Sequence, residues 1–321
     1  MTTHRRVVRT HSTETDWLVP STTHRSTIWG FFLKICRIMW SVLRYIWYWF
    51  ERVFFLVFLT VLTVWLAWWL SQTPSLYRDW DPIDEILPEI TWSGNVVTID
   101  HIRDHNWKTD KEFIPGYQKG DYSLDDIEGL SYIITPFSDR DGPAHTMFDF
   151  SFSWGRHIVI SGEIRKERGE DFEVIRGVLN QYELAYVIAT EDDIIKLRTN
   201  YRKNHVYMYP IKTEKEKIQL LFRSMLIRAD KLSREPEFYN TFWNNCTTSI
   251  LSHVNALRIE KLDGWIYTLL PSHSDEVIYN AGLIDTQLSL SGAREYYRID
   301  EWARMVSGET SFSTLIRKPI Q

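Results

Sequence analysis

The alternation of apolar and polar positions changes character along the 321 residues. Residues 53 to 70, VFFLVFLTVLTVWLAWWL, carry no charge and reach the shortest length at which a helix spans a bilayer, which predicts a transmembrane anchor. Just ahead, IWGFFLKICRIMWSVLRYIWYWF places Lys34, Arg37, Ser41, Arg44 and Tyr48 at three- and four-residue steps. A narrow polar stripe on an aromatic helix predicts an amphipathic segment lying in the membrane interface. Its three basic residues argue against a second span. Residues 71 to 94, with three prolines and many acids, read as a linker leaving the membrane.

From residue 95 the period shortens to two. NVVTIDHI and SYIITPF read as strands, and HTMFDFSFSW with HIVISGEIR reads as a hairpin around Gly155 and Arg156. Thr146, Phe148, Phe150, Phe152 and Trp154 share its core face, continued by Ile158, Ile160 and Ile164. The opposite face carries His145, Asp149, Ser151 and Ser153, then His157, Ser161, Glu163 and Arg165. A turn pairing 153 with 157 sets His145 opposite Arg165 and diagonal to Glu163, so that His145 and Glu163 are neighbours. On this register Asp149→Asn is expected to disturb stability far less than Phe150→Asp, which buries an unpaired carboxylate. Further on, YELAYVIAT and HVYMYPI read as strands around the charged helix EDDIIKLRTNYR, and EKEKIQLLFRSMLIRADKL as an amphipathic helix closed by Pro236. The expected fold is α+β, one domain over residues 95 to 321 with an antiparallel sheet packed on helices.

Composition narrows the setting. A net charge of −5 argues against a nucleic-acid partner, and two distant cysteines, Cys36 and Cys246, argue against a disulfide framework. Basic residues (Arg5, Arg6, Arg9, Arg25, Lys34, Arg37, Arg44, Arg52) precede the apolar run, and Asp79, Asp81, Asp84 and Glu85 follow it. The positive-inside rule therefore predicts an uncleaved anchor with residues 1 to 52 cytoplasmic and the later domain facing outward.

The chemistry centres on FYNTFWNNCTTSILSHVN, residues 238 to 255. Asn245 is a good N-cap, Ile250, Leu251 and Val254 recur at helical spacing, and Cys246 falls in the first turn, where unpaired amides and the helix dipole favour a thiolate. A thiol nucleophile needs a base and a group that orients the base. His145 is the candidate base, and Glu163 the candidate orienting group, with His157 and Asp149 as rivals. Asn244, Asn245 or a nearby backbone amide could bind substrate or a developing oxyanion, and Arg103 is a candidate anion contact. His253, two helical turns from Cys246, is too distant to serve as its base. No cofactor is expected. A metal held by His145, His157 and Glu163 lacks any compact ligand motif.

A helix-borne cysteine facing strand-borne polar groups resembles papain-like thiol enzymes, here permuted, since the histidine comes first. The NNCT helix start is similar to the lecithin-retinol acyltransferase group, relatives of NlpC-type peptidases. A longer resemblance is to the bacterial Lnb N-terminal periplasmic domain family, through IRDHNW, AHTMFDFSF, VISGEIRKERGE, YELAYVIATEDDIIKLRTNYR, VYMYPI and PEFYNTFWNNCTTSI. This resemblance implies an inner-membrane-anchored periplasmic domain and, as in some members, lipoprotein acyl transfer through a cysteine thioester. The family's histidine, acidic strand position and cysteine correspond to His145, Glu163 and Cys246, while the family often has asparagine where His101 stands. The implied partners are a membrane lipid or lipoprotein. A cell-wall amidase or peptidase of the NlpC kind, or a non-catalytic envelope adaptor, are the alternative functions.

Overall fold

A computed structural model describes residues 23–138, 142–262, 271–308 and 311–317. The basic residues before position 23 lie outside this range, as do residues 263–270 of the C-terminal tail. The chain divides after Gln72 into two units. The first holds one helix, α1 (Thr23–Ser71), continuous through both the striped segment and the uncharged run, with its apolar side chains exposed from Trp29 onward. The sequence division at residue 52 is thus not a break in the helix. At 1.5 Å per residue it is about 74 Å long, more than twice the hydrocarbon thickness of a bilayer.

The second unit begins inside the stretch read as a linker. Trp80 and Asp84 are buried, Trp80 bridges to Glu167, and Glu89–Ser93 forms a strand. In chain order the strands are β1 (Glu89–Ser93), β2 (Val96–Arg103), β3 (Asn106–Trp107), β4 (Phe113–Ile114), β5 (Tyr117–Ser123), β6 (Ile127–Pro136), β7 (Ala144–Phe152), β8 (Arg156–Arg165), β9 (Glu183–Ala189) and β10 (Tyr207–Pro210). Eight of them form one sheet in the order β1-β2-β9-β8-β7-β6-β10, with β5 also on β2. The antiparallel sheet expected from sequence is in fact mixed, because β2 meets β9 in parallel at Arg103 and Ala189. His101 lies in the bulge that shifts the β2–β5 register, at φ 60°. Histidine, like asparagine and aspartate, is enriched among the residues that adopt that left-handed region.

Strand alternation sends side chains to two cores. Phe148, Phe150, Phe152, Ile158 and Ile160 face α4 (Lys215–Leu232) and α5 (Cys246–Ala256), where Phe222 packs between Phe150 and Phe152 at 4.9 and 5.3 Å. Met147, Val159, Val187 and Ala189 face α3 (Glu191–Lys196), the helix Asp300–Met305 and Phe312. Both faces of the hairpin are therefore covered, and its polar face is not a solvated one.

The hairpin register differs from the expected one by two residues. Phe152 pairs with Arg156 and Met147 with Ser161, so His145 continues directly opposite Glu163 rather than diagonal to it. The reason is a turn confined to Ser153–Gly155, with Trp154 at φ 68° and Gly155 at φ 70°. This left-handed pair swings Trp154 out of the core face, and it is 94% exposed.

Candidate active site

The site is built where the start of β7, the end of β8 and the start of α5 meet. Asn245 closes α5 as a full capping box. Its side chain accepts from the Thr248 N–H at 2.9 Å, and the Thr248 hydroxyl accepts from the Asn245 N–H at 2.7 Å. With that donor occupied, the Cys246 and Thr247 N–H groups are the ones that leave the helix without an intrahelical carbonyl. Ile250 and Val254 pack into the larger core, and α5 approaches β8 at Gly162, where an added Cβ would lie 3.5 Å from the Cys246 Cα.

Cys246 is buried. Burial pushes its thiol up, but the hydrogen bond and charge of His145, the Thr146 backbone N–H and the Thr247 hydroxyl bring it from its ordinary value down to about 7. His145 Nε2 lies 2.8 Å from Glu163 Oε1 and 2.5 Å from the Ser161 hydroxyl. This leaves Nδ1 as the ring nitrogen able to take the thiol proton. Burial lowers the His145 pKa and the Glu163 carboxylate raises it, and the carboxylate prevails. Burial would raise the Glu163 pKa, yet the charges of His145, Arg198 and Arg103 hold it well below the carboxylate range. Glu163 Oε1 accepts from His145, Ser161 (3.0 Å) and Arg198 Nη2 (2.9 Å), a carboxylate fixed from three sides. Thiolate, imidazolium and carboxylate thus form a chain in which each charge stabilises the next.

His157 and Asp149, the rivals for the third position, belong elsewhere. They lie 3.2 Å apart beside Glu191, and Arg317 donates to Asp149 Oδ2 at 2.5 Å and to Glu191 Oε1 at 2.6 Å. The three ligand-bearing groups, Asp149, His157 and Glu191, fall within 4.8 Å of one another, and the Arg317 guanidinium already neutralises them. His157 is therefore not available to a metal set with His145 and Glu163. His253 bonds Tyr186 and Ser224, both at 2.9 Å, on the buried side of α5.

The expected substrate contacts already carry bonds within the protein. Arg103 lines the cavity beside Cys246 but is buried and bound to Asp193 (2.8 Å) and Asp84 (2.9 Å), and its charge helps to hold the Glu163 pKa down. Asn244 donates its amide to the Phe238 carbonyl at 2.7 Å, and Asn245 donates to the Thr241 carbonyl at 2.7 Å while capping α5. Both side chains shape the loop before the cysteine.

Arg198 and Arg202 were not selected from the sequence. EDDIIKLRTNYR is not one α-helix: after Lys196 it widens into a π-turn over Leu197–Tyr201, a form frequent at functional sites. That turn aims Arg198 at Glu163 and delivers Arg202 to the same cavity. The cavity holds about 500 Å³ and is lined by Cys246, His145 and Glu163 together with Phe137, Phe172 and Phe242. Thr247 borders a second, mostly apolar cavity of about 750 Å³ between α4, α5 and the helix Ser274–Asn280.

Residues 115–272 match the model of the Lnb N-terminal periplasmic domain family, the family that the sequence motifs resemble. The match spans His145, Glu163 and Cys246 and begins after Arg103. No curated protein and no solved structure matches the chain.

Proposed function

We propose that this chain is a membrane-anchored, cysteine-dependent acyltransferase that carries an acyl chain from a lipid or lipoprotein ester to an amine through a thioester on Cys246. One observation carries the proposal: Cys246, His145 and Glu163 converge in a cavity with a largely apolar lining. The order of histidine before cysteine matches a permuted papain-like arrangement. The Cys246 thiolate attacks the ester carbonyl, and backbone N–H groups at the start of α5 receive the negative charge on oxygen. As the C–O bond breaks, imidazolium His145 gives its proton to the leaving alcohol. The acceptor amine, for which a lipoprotein N-terminus is suited, then attacks the thioester, and His145 takes its proton as the thiolate departs. Glu163 holds the ring and stabilises its charged form throughout.

Incubation of the full-length protein with phospholipid or diacylglyceryl lipoprotein should give a Cys246 adduct whose mass increase equals one fatty acyl chain and which neutral hydroxylamine removes. An adduct with a peptidoglycan fragment and none with lipid would replace the proposal with cell-wall hydrolysis.

The apolar helix and the periplasmic family fit a single-pass membrane protein. Basic residues before the run and acids after it favour an inner-membrane protein with residues 1–52 cytoplasmic, an anchor at 53–70 and the following domain periplasmic. A reporter fused after Gln321 should be active only outside the cytoplasm, and activity inside would reverse the topology.

A further inference from the structure

The mouth of the Cys246 cavity is apolar on its outside as well as its inside. Phe137, Phe172, Val174 and Phe242 line the cavity and are also exposed to solvent. Next to them in the chain, Ile175 is 72% exposed and Trp243 63% exposed. These side chains come from three separate segments: the end of β6, the short helix α2 (Val174–Val178) with the residues before it, and the loop before α5. Two of these segments are tied together, since Thr241 donates to the Val174 carbonyl. Isolated exposed apolar residues need no explanation, whereas a patch gathered from three segments around one opening marks an interaction surface.

Charge at the same opening is of both signs, since exposed Asp171 and Glu173 flank Phe172. Arg202 lines the cavity, is exposed, and has no ion pair among the described residues. Lys166 also lines it and donates only to the Glu170 carbonyl. An aromatic and aliphatic rim with the Arg202 guanidinium set among it, on a chain whose apolar helix is long enough to cross a membrane, has the chemistry of a surface that sinks into the headgroup boundary, rings among the acyl chains and cation at phosphate. From this juxtaposition we infer that the rim formed by Phe137, Phe172, Val174, Ile175, Phe242 and Trp243 docks onto a phospholipid bilayer, with Arg202 contacting a lipid phosphate. Docking of this kind opens the Cys246 cavity directly toward lipid, so that an ester reaches the thiol without crossing water. This rests on the acyl-transfer reading for its purpose, and its evidence and test are separate from that reading.

The test uses full-length protein in vesicles of phosphatidylglycerol and phosphatidylethanolamine. A photo-activatable group is placed at the rim, Trp243→benzoylphenylalanine, or at the exposed hairpin tip, Trp154→benzoylphenylalanine. Illumination should give a phospholipid adduct on the Trp243 peptide and several-fold less on the Trp154 peptide, and adding Arg202→Glu should lower the Trp243 adduct several-fold. A wild-type circular dichroism spectrum and thermal midpoint verify that each variant is folded. No lipid adduct at position 243, equal adducts at both positions, or cross-links from 243 to protein instead of lipid would each overturn the docking. If the Cys246 acyl adduct still forms in that case, the acyltransferase reading survives alone. A lipid adduct at 243 without any acyl-enzyme leaves the docking standing and removes that reading.

Discussion

Cys246→Ala should abolish acyl-enzyme formation and lower turnover on the order of 10⁴-fold or more, because Cys246 supplies the only thiol among the described residues that line the cavity. Folding should persist, since the thiol makes only long contacts, 3.9 Å to the Ala144 carbonyl and 3.8 Å to the Thr247 hydroxyl, beyond its link to His145. In the wild type, iodoacetamide alkylation of Cys246 should rise with a midpoint near its thiol pKa of about 7, read peptide by peptide so that Cys36 serves as an internal comparison. His145→Ala removes the largest stabiliser of the thiolate. The alkylation midpoint should move to higher pH, and turnover should fall about 10²–10⁴-fold. Glu163→Gln should shift the profile in the same direction and cost less activity than His145→Ala, because it weakens the base without removing it. Unchanged alkylation in His145→Ala would break the proposed pairing, and full activity in Cys246→Ala would end the thiol mechanism.

The second large effect is on stability and lies on the other face of the hairpin. Arg317→Ala should destabilise the fold by about 3–5 kcal/mol near neutral pH, because it strips the cation from two buried carboxylates, Asp149 and Glu191. Asp149→Asn should also be costly, which reverses the mild effect expected from a polar hairpin face. The Asp149 carboxyl feels burial upward and the cations His157 and Arg317 downward, and its pKa is lowered on balance. Its contribution is present above the unfolded value of about 3.9 and is lost as pH falls through the lower folded value. His157, pushed down by burial and raised on balance by Asp149, contributes below about 6.5 and loses that contribution as pH rises through its higher folded value. The deficit of Arg317→Ala should therefore shrink on acidification, as His157 takes up a proton and supplies a cation to Asp149. Denaturant midpoints at pH 7 and pH 5 read this directly, and an Arg317→Ala protein as stable as wild type at pH 7 would remove the ion cluster from the energetics.

Much of the site's setting was legible in local pattern. Helix initiation depends on neighbours three and four residues away, so NNCT followed by helical spacing was enough to place Cys246 in the first turn behind an Asn245 cap. Strand alternation depends on residues two apart, so Phe148, Phe150 and Phe152 could be assigned to a core and His145 and Glu163 to the opposite face. An uncharged run is likewise a local property. It marks the apolar helix without reference to anything else in the chain.

Tertiary structure decided what local pattern leaves open, for reasons of geometry and charge pairing. The turn residues Trp154 and Gly155 place the hairpin loop one residue earlier than the pairing of 153 with 157 requires, and this sets His145 opposite Glu163 while turning Trp154 outward. The choice of Glu163 over Asp149 and His157 beside His145 depends on Arg317, which returns from more than 150 residues away and neutralises the competing pair. Whether Arg103 stays open to substrate depends on Asp84 and Asp193, which approach it from two other segments. A π-turn, invisible in residue spacing, aims Arg198 at Glu163 and leaves Arg202 at the cavity mouth. Sequence determines which residues can carry charge or bury surface along each element. Long-range packing determines which of those charges meet, because a buried charge persists only where a partner from elsewhere in the chain reaches it.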